Sequence, residues 1–233
     1  MPSHTGSFNR EPISNLVGAW LTFVLALGLA IPQPPNPLHL AIGSVAGAGL
    51  VFIGFLAASR CRRIPEHPVR IRVRLVLHSA AAGGVLGLVL VAALVFLAHH
   101  EPALHARFAN RLSEPAWRPL ALAFESSVLE EVVFRLFTMS AIAWLAGRLI
   151  RSPGVTLLTS VFLSAILFGL AHLPAWLAAA PPTAPLIAAV IFLNGIGGGV
   201  FGWVFWRWGL PYAIICHFVG DLIIQGLGPR LLA

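Results

Sequence analysis

Residues 75–98 of this chain read LVLHSAAAGGVLGLVLVAALVFLA, a run without Asp, Glu, Lys or Arg. At a rise of about 1.5 Å per residue, a helix of this length crosses the roughly 30 Å of hydrocarbon in a bilayer. Comparable apolar runs lie at 14–32, 38–58, 125–149, 154–172, 184–206 and 210–228. The pattern therefore predicts an all-α, polytopic integral membrane protein with about seven to eight transmembrane helices.

The composition agrees with a membrane protein and excludes a soluble one. Of the 233 residues, 58% are hydrophobic and only 10% are charged, too few to cover the surface of a soluble fold of this size. The net charge of +7 comes from arginines that lie in short stretches between the apolar runs, which membrane topology explains better than nucleic acid. We therefore expect the lipid bilayer, and no nucleic acid, as a partner.

The arginines also predict an orientation. Six of them crowd the loop between the second and third runs, at positions 60, 62, 63, 70, 72 and 74. Loops rich in Arg stay in the cytoplasm, so we expect the N-terminus in the cytoplasm as well, in the inner (plasma) membrane of a bacterium. The mixed segment 99–118 is predicted as an amphipathic surface helix or a re-entrant piece, and closes an N-terminal membrane region over 1–118.

Three ionisable residues interrupt the fourth apolar run. Arg135 follows Glu131 by four residues and so lies on nearly the same face of a helix, where the two can neutralise each other. Glu130 points about 100° away around the helix and lacks that partner, which leaves its carboxylate available for chemistry. Alternatively, all three residues form a buried ionic group that holds helices together and has no catalytic role.

Two histidines and one aspartate interrupt later runs. His172 is predicted in the last turn of the fifth helix, at the membrane depth of Glu130, because the chain turns near Ser152, about midway between them. His217 and Asp221, the latter the sole Asp of the sequence, are four residues apart and share a helix face. Such a pair either orients an imidazole for catalysis or simply joins helices by a hydrogen bond.

Together these groups contain what the activation of water needs. An ionised residue at mid-membrane costs on the order of 3 kcal/mol, so structural roles alone rarely require so many of them. A free carboxylate, two imidazoles and a further carboxylate are suited to activating water and stabilising an oxyanion. The groups also form three ordered motifs, Glu130-Glu131-x-x-x-Arg135, Phe168-x-x-x-His172 and His217-x-x-x-Asp221.

These motifs, in this order on separate spans, resemble those of the CPBP family of intramembrane proteases, also called the type II CAAX prenyl protease or Abi family. The resemblance implies a catalytic membrane core over 119–233 and an endopeptidase acting on a membrane-associated, possibly prenylated, peptide or protein. It implies that Glu130, helped by His172, activates a water molecule, while His217 and residue 221 stabilise the oxyanion. It also places Glu131 and Arg135 among the site residues.

Two points of chemistry remain open at this stage. The family has Asn or Asp at the position of Asp221; an ionised carboxylate repels an oxyanion, so Asp221 either stays protonated or holds His217 as a charged donor. We expect no cofactor for a glutamate mechanism, but Glu130, His172 and His217 could instead hold Zn²⁺. No HExxH motif is present to favour the metal.

Other functions compete with the protease. Buried carboxylates and histidines also suit a proton- or ion-coupled transporter, which would be expected to show repeated halves. A catalytically silent scaffold or immunity protein on the same fold is a further alternative.

The predicted orientation conflicts with one possible substrate. The arginine pattern places Glu130 and His172 toward the outer face, whereas processing of prenylated proteins requires access from the cytoplasm. A membrane crossing by segment 99–118 would remove that conflict.

Overall fold

The secondary structure confirms the all-α prediction. The computed structural model describes residues 11–30, 37–61, 71–101, 105, 108, 110–178 and 183–232, and no strand occurs among them. The helices are α1 (Glu11–Ala30), α2 (Pro37–Arg60), α3 (Val73–Ala98), a 3₁₀-helix (Asn110–Ser113), α4 (Arg118–Glu130), a π-helix (Glu131–Met139), α5 (Ser140–Leu149), α6 (Pro153–Leu177), α7 (Ala184–Trp208) and α8 (Leu210–Leu232).

The number of helices that qualify as membrane spans differs slightly from the predicted seven to eight. Among the described residues, five helices are long and apolar enough to cross a bilayer, namely α2, α3, α6, α7 and α8. The apolar stretch of α1 is shorter, at Asn15–Gly28. The fourth predicted span is one continuous helical path from α4 through the π-helix to α5, whose buried charges lower its hydropathy. With α1 and this path, the part of the chain that the structure describes has seven membrane-length helices.

Segment 99–118, for which a surface helix or a re-entrant piece was predicted, is only partly described. Its described portion contains the short 3₁₀-helix, and Leu112, Ser113 and Glu114 are exposed. These residues form no helix long enough to cross the membrane. Several of the loop arginines, including Arg62, Arg63 and Arg70, lie outside the described residues.

Large apolar side chains cover the outside of the bundle. Leu149 is 88% exposed, Val45 74% and Phe162 65%, and they belong to three different helices. An apolar surface of this extent would be unstable in water but is matched by lipid chains. The protein is therefore an integral membrane protein.

Glycines allow two pairs of helices to approach closely. A Cβ on Gly83 of α3 would collide with the backbone of Cys216, and one on Gly87 would lie 2.8 Å from the carbonyl oxygen of Gly220, so α3 and α8 run parallel with their backbones in contact. In the antiparallel pair of α6 and α7, a Cβ on Gly198 would lie 3.0 Å from the Cα of Ala165. Small residues favour this kind of packing in membranes. The first contact places α8, and with it His217, against α3.

The π-helix is a feature that the sequence did not predict. Two hydroxyl groups there bond five residues back along the chain: Thr138 Oγ1 donates to the carbonyl of Val133 at 2.8 Å, and Ser140 Oγ to that of Arg135 at 3.3 Å. A π-helix is wider than an α-helix and changes the directions of successive side chains. It begins at Glu131, directly after Glu130, so it sets where these two carboxylates point.

One detail of the predicted helix ends is wrong. His172 was expected in the last turn of its helix because Pro174 follows, but α6 continues to Leu177 with Pro174 inside it. The side chain of His172 therefore projects from within the helix toward the centre of the bundle.

Candidate active site

The six residues singled out in the sequence meet at one place in the bundle. Glu130 is the last residue of α4, and Glu131 and Arg135 belong to the π-helix that follows. His172 comes from α6, and His217 and Asp221 come from α8. Two of these helices, α6 and α8, pack closely against α7 and α3, which helps to hold the side chains of the cluster in place.

The carboxylate of Glu130 lies between the two imidazole rings. Its Oε1 is 3.7 Å from Nε2 of His172, and its Oε2 is 3.7 Å from Nε2 of His217. The side chains of Glu130 and His172 are 27% and 26% exposed, whereas that of His217 is only 3% exposed. Glu130 and His172 thus face accessible space, while His217 approaches the same carboxylate from the protein interior.

Glu131 and Arg135 form a fully buried ion pair. Nε of Arg135 lies 3.4 Å from Oε2 of Glu131, and both side chains are 0% exposed. The guanidinium also lies over the ring of Phe168, 4.6 Å from its centroid, and 5.7 Å from that of Phe201. Aromatic faces attract a cation, and the carboxylate neutralises its charge, so the pair compensates much of the cost of its burial.

Three contacts fix the ring of His217. Its Nδ1 donates a hydrogen bond of 3.0 Å to Oε1 of Glu131, which leaves Nε2 directed at Glu130 and at Oδ2 of Asp221, 3.6 Å away. The ring of Phe201 stacks on the imidazole with 4.2 Å between centroids and 14° between planes. Since one ring nitrogen is held by Glu131, the other is the nitrogen presented to the site.

His172 is oriented by its own helix. Its Nδ1 donates to the carbonyl of Phe168 at 2.8 Å, and the ring of Phe168 lies 4.7 Å away, centroid to centroid. A carbonyl can only accept, so Nδ1 carries the proton and Nε2 faces Glu130. In its neutral form His172 therefore offers a lone pair to the accessible side of the site.

Asp221 has a partner that the sequence did not indicate. The hydroxyl of Ser126 donates to Oδ2 of Asp221 and also lies 2.8 Å from the carbonyl of Leu122. Asp221 is 18% exposed, intermediate between Glu130 and His217. The same oxygen, Oδ2, therefore meets both the hydroxyl of Ser126 and Nε2 of His217.

The cluster opens into a cavity of about 260 Å³ between the helices. Glu130, His172, His217 and Asp221 contribute its polar lining. Most of the remaining wall is apolar, and Arg111, Asn194 and Gln225 add polar groups to it. The cavity is large enough to hold water beside the carboxylate.

Sequence reasoning missed several residues of this site. Ser126 and Phe201 belong to ordinary helical stretches, and nothing in their spacing marks them. Asn194, which the sequence does not mark as part of the site, lines the cavity, with Nδ2 donating to the carbonyl of Val190 at 2.7 Å. Arg111 also escapes notice in the sequence, because its contact with Gln225 joins positions far apart in the chain.

The possible zinc ligands, Glu130, His172 and His217, are close together, but the described residues contain no group of three or more His, Cys, Asp or Glu arranged to hold a metal ion. The two histidine Nε2 atoms meet different oxygens of Glu130. One imidazole nitrogen in each ring already has a protein acceptor, at Phe168 and at Glu131.

A family profile described as "Type II CAAX prenyl endopeptidase Rce1-like" matches residues 110–223. Over these residues the chain is similar to the Rce1-like family. The Rce1-like match runs from the 3₁₀-helix into α8 and includes all six clustered residues, which agrees with the resemblance to CPBP proteases. The match supports a protease-like membrane enzyme at the level of the family. No curated protein and no solved structure matches it.

Proposed function

We propose that this Rce1-like chain is an intramembrane endopeptidase that hydrolyses a peptide bond in a membrane-associated peptide or protein. One observation carries the proposal: the carboxylate of Glu130 lies 3.7 Å from Nε2 of both His172 and His217, at the wall of a cavity inside the bundle. A carboxylate flanked by an exposed and a buried imidazole has the parts of a general base and of an oxyanion donor.

The geometry accommodates a water molecule as the nucleophile. With 3.7 Å between Oε1 of Glu130 and Nε2 of His172, a water can contact both at roughly 2.8 Å. In the proposed step, the water oxygen attacks the peptide carbonyl carbon and one of its protons passes to Glu130. The C–N bond then breaks, and the proton moves on to the nitrogen of the leaving amine. Nε2 of His172 holds the water by accepting a hydrogen bond from it, while the protonated Nδ1 keeps its hydrogen bond to the carbonyl of Phe168.

The oxyanion would form on the buried side, near His217. The hydrogen bond to Glu131 presents Nε2 of His217 to the site, where a protonated ring would donate to the developing negative charge. The side chain of Asp221, 3.6 Å from Nε2, would help to orient that ring. The Glu131–Arg135 pair would not contact the substrate and would act by positioning His217.

We further propose that the site opens away from the cytoplasm, in a bacterial inner membrane with the N-terminus inside. Cavity-lining residues Leu94, Trp176 and Gln225 come from the ends of α3, α6 and α8 that lie far from the arginine-rich loop. The described part of segment 99–118 provides no extra crossing to reverse this orientation. A substrate from the outer leaflet or the outer face fits this topology better than a cytoplasmic prenylated protein. On this proposal, the N-terminal membrane region of residues 1–118 flanks the catalytic core of residues 119–233.

The test is a cleavage assay with protein purified in detergent and matched prenylated and unprenylated peptides. Cleavage by the wild type is expected to fall at least about 100-fold in Glu130→Gln and in His172→Ala, since removal of a general acid–base group costs rates of that order. Glu114→Gln, at an exposed position outside the cavity, is the matched control and should retain full activity.

Two outcomes would contradict the proposal. Turnover that survives both substitutions would remove Glu130 and His172 from the chemistry, and absence of cleavage of any peptide would favour a non-enzymatic member of the family. Chelator treatment of the wild type in the same assay separates a glutamate mechanism, which should keep its activity, from a zinc-dependent one.

A further inference from the structure

Two exposed arginines outside the cavity have aromatic neighbours but no counter-ion. Arg148, in the last turn of α5, has its Cζ 4.0 Å from the ring centroid of Trp144, and Arg207, in the last turn of α7, lies 5.7 Å from that of Trp206. Neither arginine forms an ion pair within the part of the chain that the structure describes. Residues 140–209 contain no Asp or Glu. The helices that carry these two charges therefore do not neutralise them.

The two arginine–tryptophan pairs lie at similar depth in the membrane. A Cβ on Gly202 of α7 would lie 3.3 Å from Cγ1 of Val161 on α6 and 3.5 Å from Sδ of Met139, directly before α5. From this level α5 and α7 run in the same direction, because each is antiparallel to α6. Trp144 follows Met139 by five residues and Trp206 follows Gly202 by four, which is ~7.5 and ~6 Å along the helix axes. Both tryptophans pack against the same apolar core.

Large apolar side chains are exposed on the helices beside these cations. Trp203 is 49% exposed, and its ring meets that of Trp206 edge to face at 4.8 Å between centroids. Near the start of α6, Leu158 and Phe162 are 61% and 65% exposed and lie one helical turn apart. Tryptophan is typical of the level of the lipid headgroups, and exposed aliphatic side chains suit acyl chains. The surface thus combines unpaired cations with an apolar face, as a phospholipid requires.

We propose that Arg148 and Arg207, oriented by Trp144 and Trp206, bind the headgroup phosphate of anionic phospholipids such as phosphatidylglycerol. A guanidinium that lies over an aromatic ring keeps the N–H donors at its edge, and these donors match phosphate oxygens. An anionic headgroup also supplies the negative charge that α5, α6 and α7 lack. This lipid site is separate from the catalytic cluster, and the inference does not depend on the proposed peptidase activity.

The experiment measures lipid binding to the full chain in a neutral detergent by native mass spectrometry. The protein is titrated with phosphatidylglycerol or with phosphatidylcholine of the same acyl chains. The wild type is expected to bind phosphatidylglycerol at least about 10-fold more tightly. Arg148→Gln and Arg207→Gln should each weaken that binding about 5-fold, and the double variant about 25-fold, with phosphatidylcholine unaffected.

The matched control is the double variant Arg118→Gln/Arg230→Gln, which loses the same charge at the other end of the bundle and outside the cavity. It should keep the wild-type affinity for phosphatidylglycerol. Equal affinities of the wild type for the two lipids would overturn the proposal. Equal losses in the two double variants would also overturn it, because the attraction would then come from net charge alone. The unfolding temperature without added lipid should be unchanged in all variants, since the substituted side chains lie at helix ends.

Two further measurements test the aromatic groups and the source of the phosphate. Trp144→Leu and Trp206→Leu are each expected to weaken binding of phosphatidylglycerol about 2- to 5-fold, because each arginine loses its cation–π partner. Glycerol 3-phosphate, which has the phosphate without the acyl chains, should not compete with the lipid. Competition at concentrations similar to those of the lipid would identify a soluble phosphate as the ligand and overturn the proposal.

Discussion

Nδ1 of His217 donates a 3.0 Å hydrogen bond to Glu131, a carboxylate that is completely buried and lies 3.4 Å from Nε of Arg135. The orientation of an imidazole in the site therefore depends on an ion pair that has no contact with solvent. Glu131 has two functions at once: one oxygen neutralises Arg135 and the other selects which nitrogen of His217 faces Glu130.

The first prediction separates these two functions of Glu131. Glu131→Leu and Arg135→Met are each expected to destabilise the fold by about 3 to 5 kcal/mol, because each leaves a buried charge without its partner. The double variant should recover most of this stability, since apolar groups of similar volume replace the pair. It should nevertheless stay inactive, because His217 has lost its acceptor.

Thermal unfolding in detergent measures the stability of these variants, and the peptide assay measures their activity. Glu114→Gln, an exposed carboxylate, serves as the control for loss of a charge alone. A double variant with near wild-type activity would show that His217 does not need Glu131, and the positioning role would be lost.

The second prediction concerns Ser126, whose hydroxyl bonds to Asp221. Ser126→Ala is expected to lower kcat by roughly 5- to 30-fold, because one hydrogen bond to a charged group is lost. Ser127→Ala is the matched control: that neighbouring hydroxyl is fully buried and donates only within its own helix, to the carbonyl of Phe124 at 3.0 Å. Equal activities of the two variants would exclude a special role for Ser126.

The third prediction concerns the charge of Asp221. Asp221→Asn keeps a group that can bond to Ser126 and presents a neutral amide to the oxyanion, so kcat is expected to stay within about 5-fold of the wild type. Asp221→Ala removes both contacts and should lower kcat about 100-fold. If Asp221→Asn were as inactive as Asp221→Ala, the negative charge itself would be required, to hold His217 as a charged donor.

Much of this arrangement could be predicted from the sequence, because the interior of a bilayer contains no water to solvate polar groups. Apolar runs of this length are expected to be spans, and ionisable groups such as Glu130 and His217 within them require partners inside the bundle. Glu130 and His172 lie at similar distances along the chain from the turn at Ser152, so they were predicted at the same membrane depth. In the structure, Oε1 of Glu130 is 3.7 Å from Nε2 of His172.

The features that escaped prediction depend on geometry that spacing does not encode. The π-helix at Glu131–Met139 has the same residue types as an α-helix, and its close contact with α2, where Gly54 meets the backbone of Leu136, joins segments distant in sequence. The contact of Arg111 with Gln225 joins two segments that are distant in sequence. Ser126 resembles any helical serine that bonds to a carbonyl four residues back.

The fourth prediction tests the contact between α3 and α8. Gly83→Ala places a methyl group against the Cys216 carbonyl, so α8 must move and His217 with it. Overpacking of this kind costs about 1 to 3 kcal/mol, and we expect lower stability together with lost peptidase activity. Gly84→Ala is the control one residue away, where a Cβ would meet only side-chain atoms at 3.9 Å or more. Similar behaviour of both variants would show that close approach at Gly83 is not needed.

The last prediction fixes the side of the membrane on which the cavity opens. Cysteine is introduced at Ser113 in one variant and at Ser152 in another. Ser113 lies in the 3₁₀-helix beside Arg111, and Ser152 lies between α5 and α6. Both positions are exposed, and they lie at opposite ends of the helical path from α4 to α5. Intact cells are then treated with a membrane-impermeant maleimide. Ser113→Cys should be labelled directly, because we place it outside the cytoplasm, and Ser152→Cys only after the cells are permeabilised. The native Cys61 and Cys216 are buried and provide the unlabelled background. The reverse pattern would put the cavity on the cytoplasmic side, within reach of prenylated cytoplasmic proteins, and would overturn the orientation derived from the arginines.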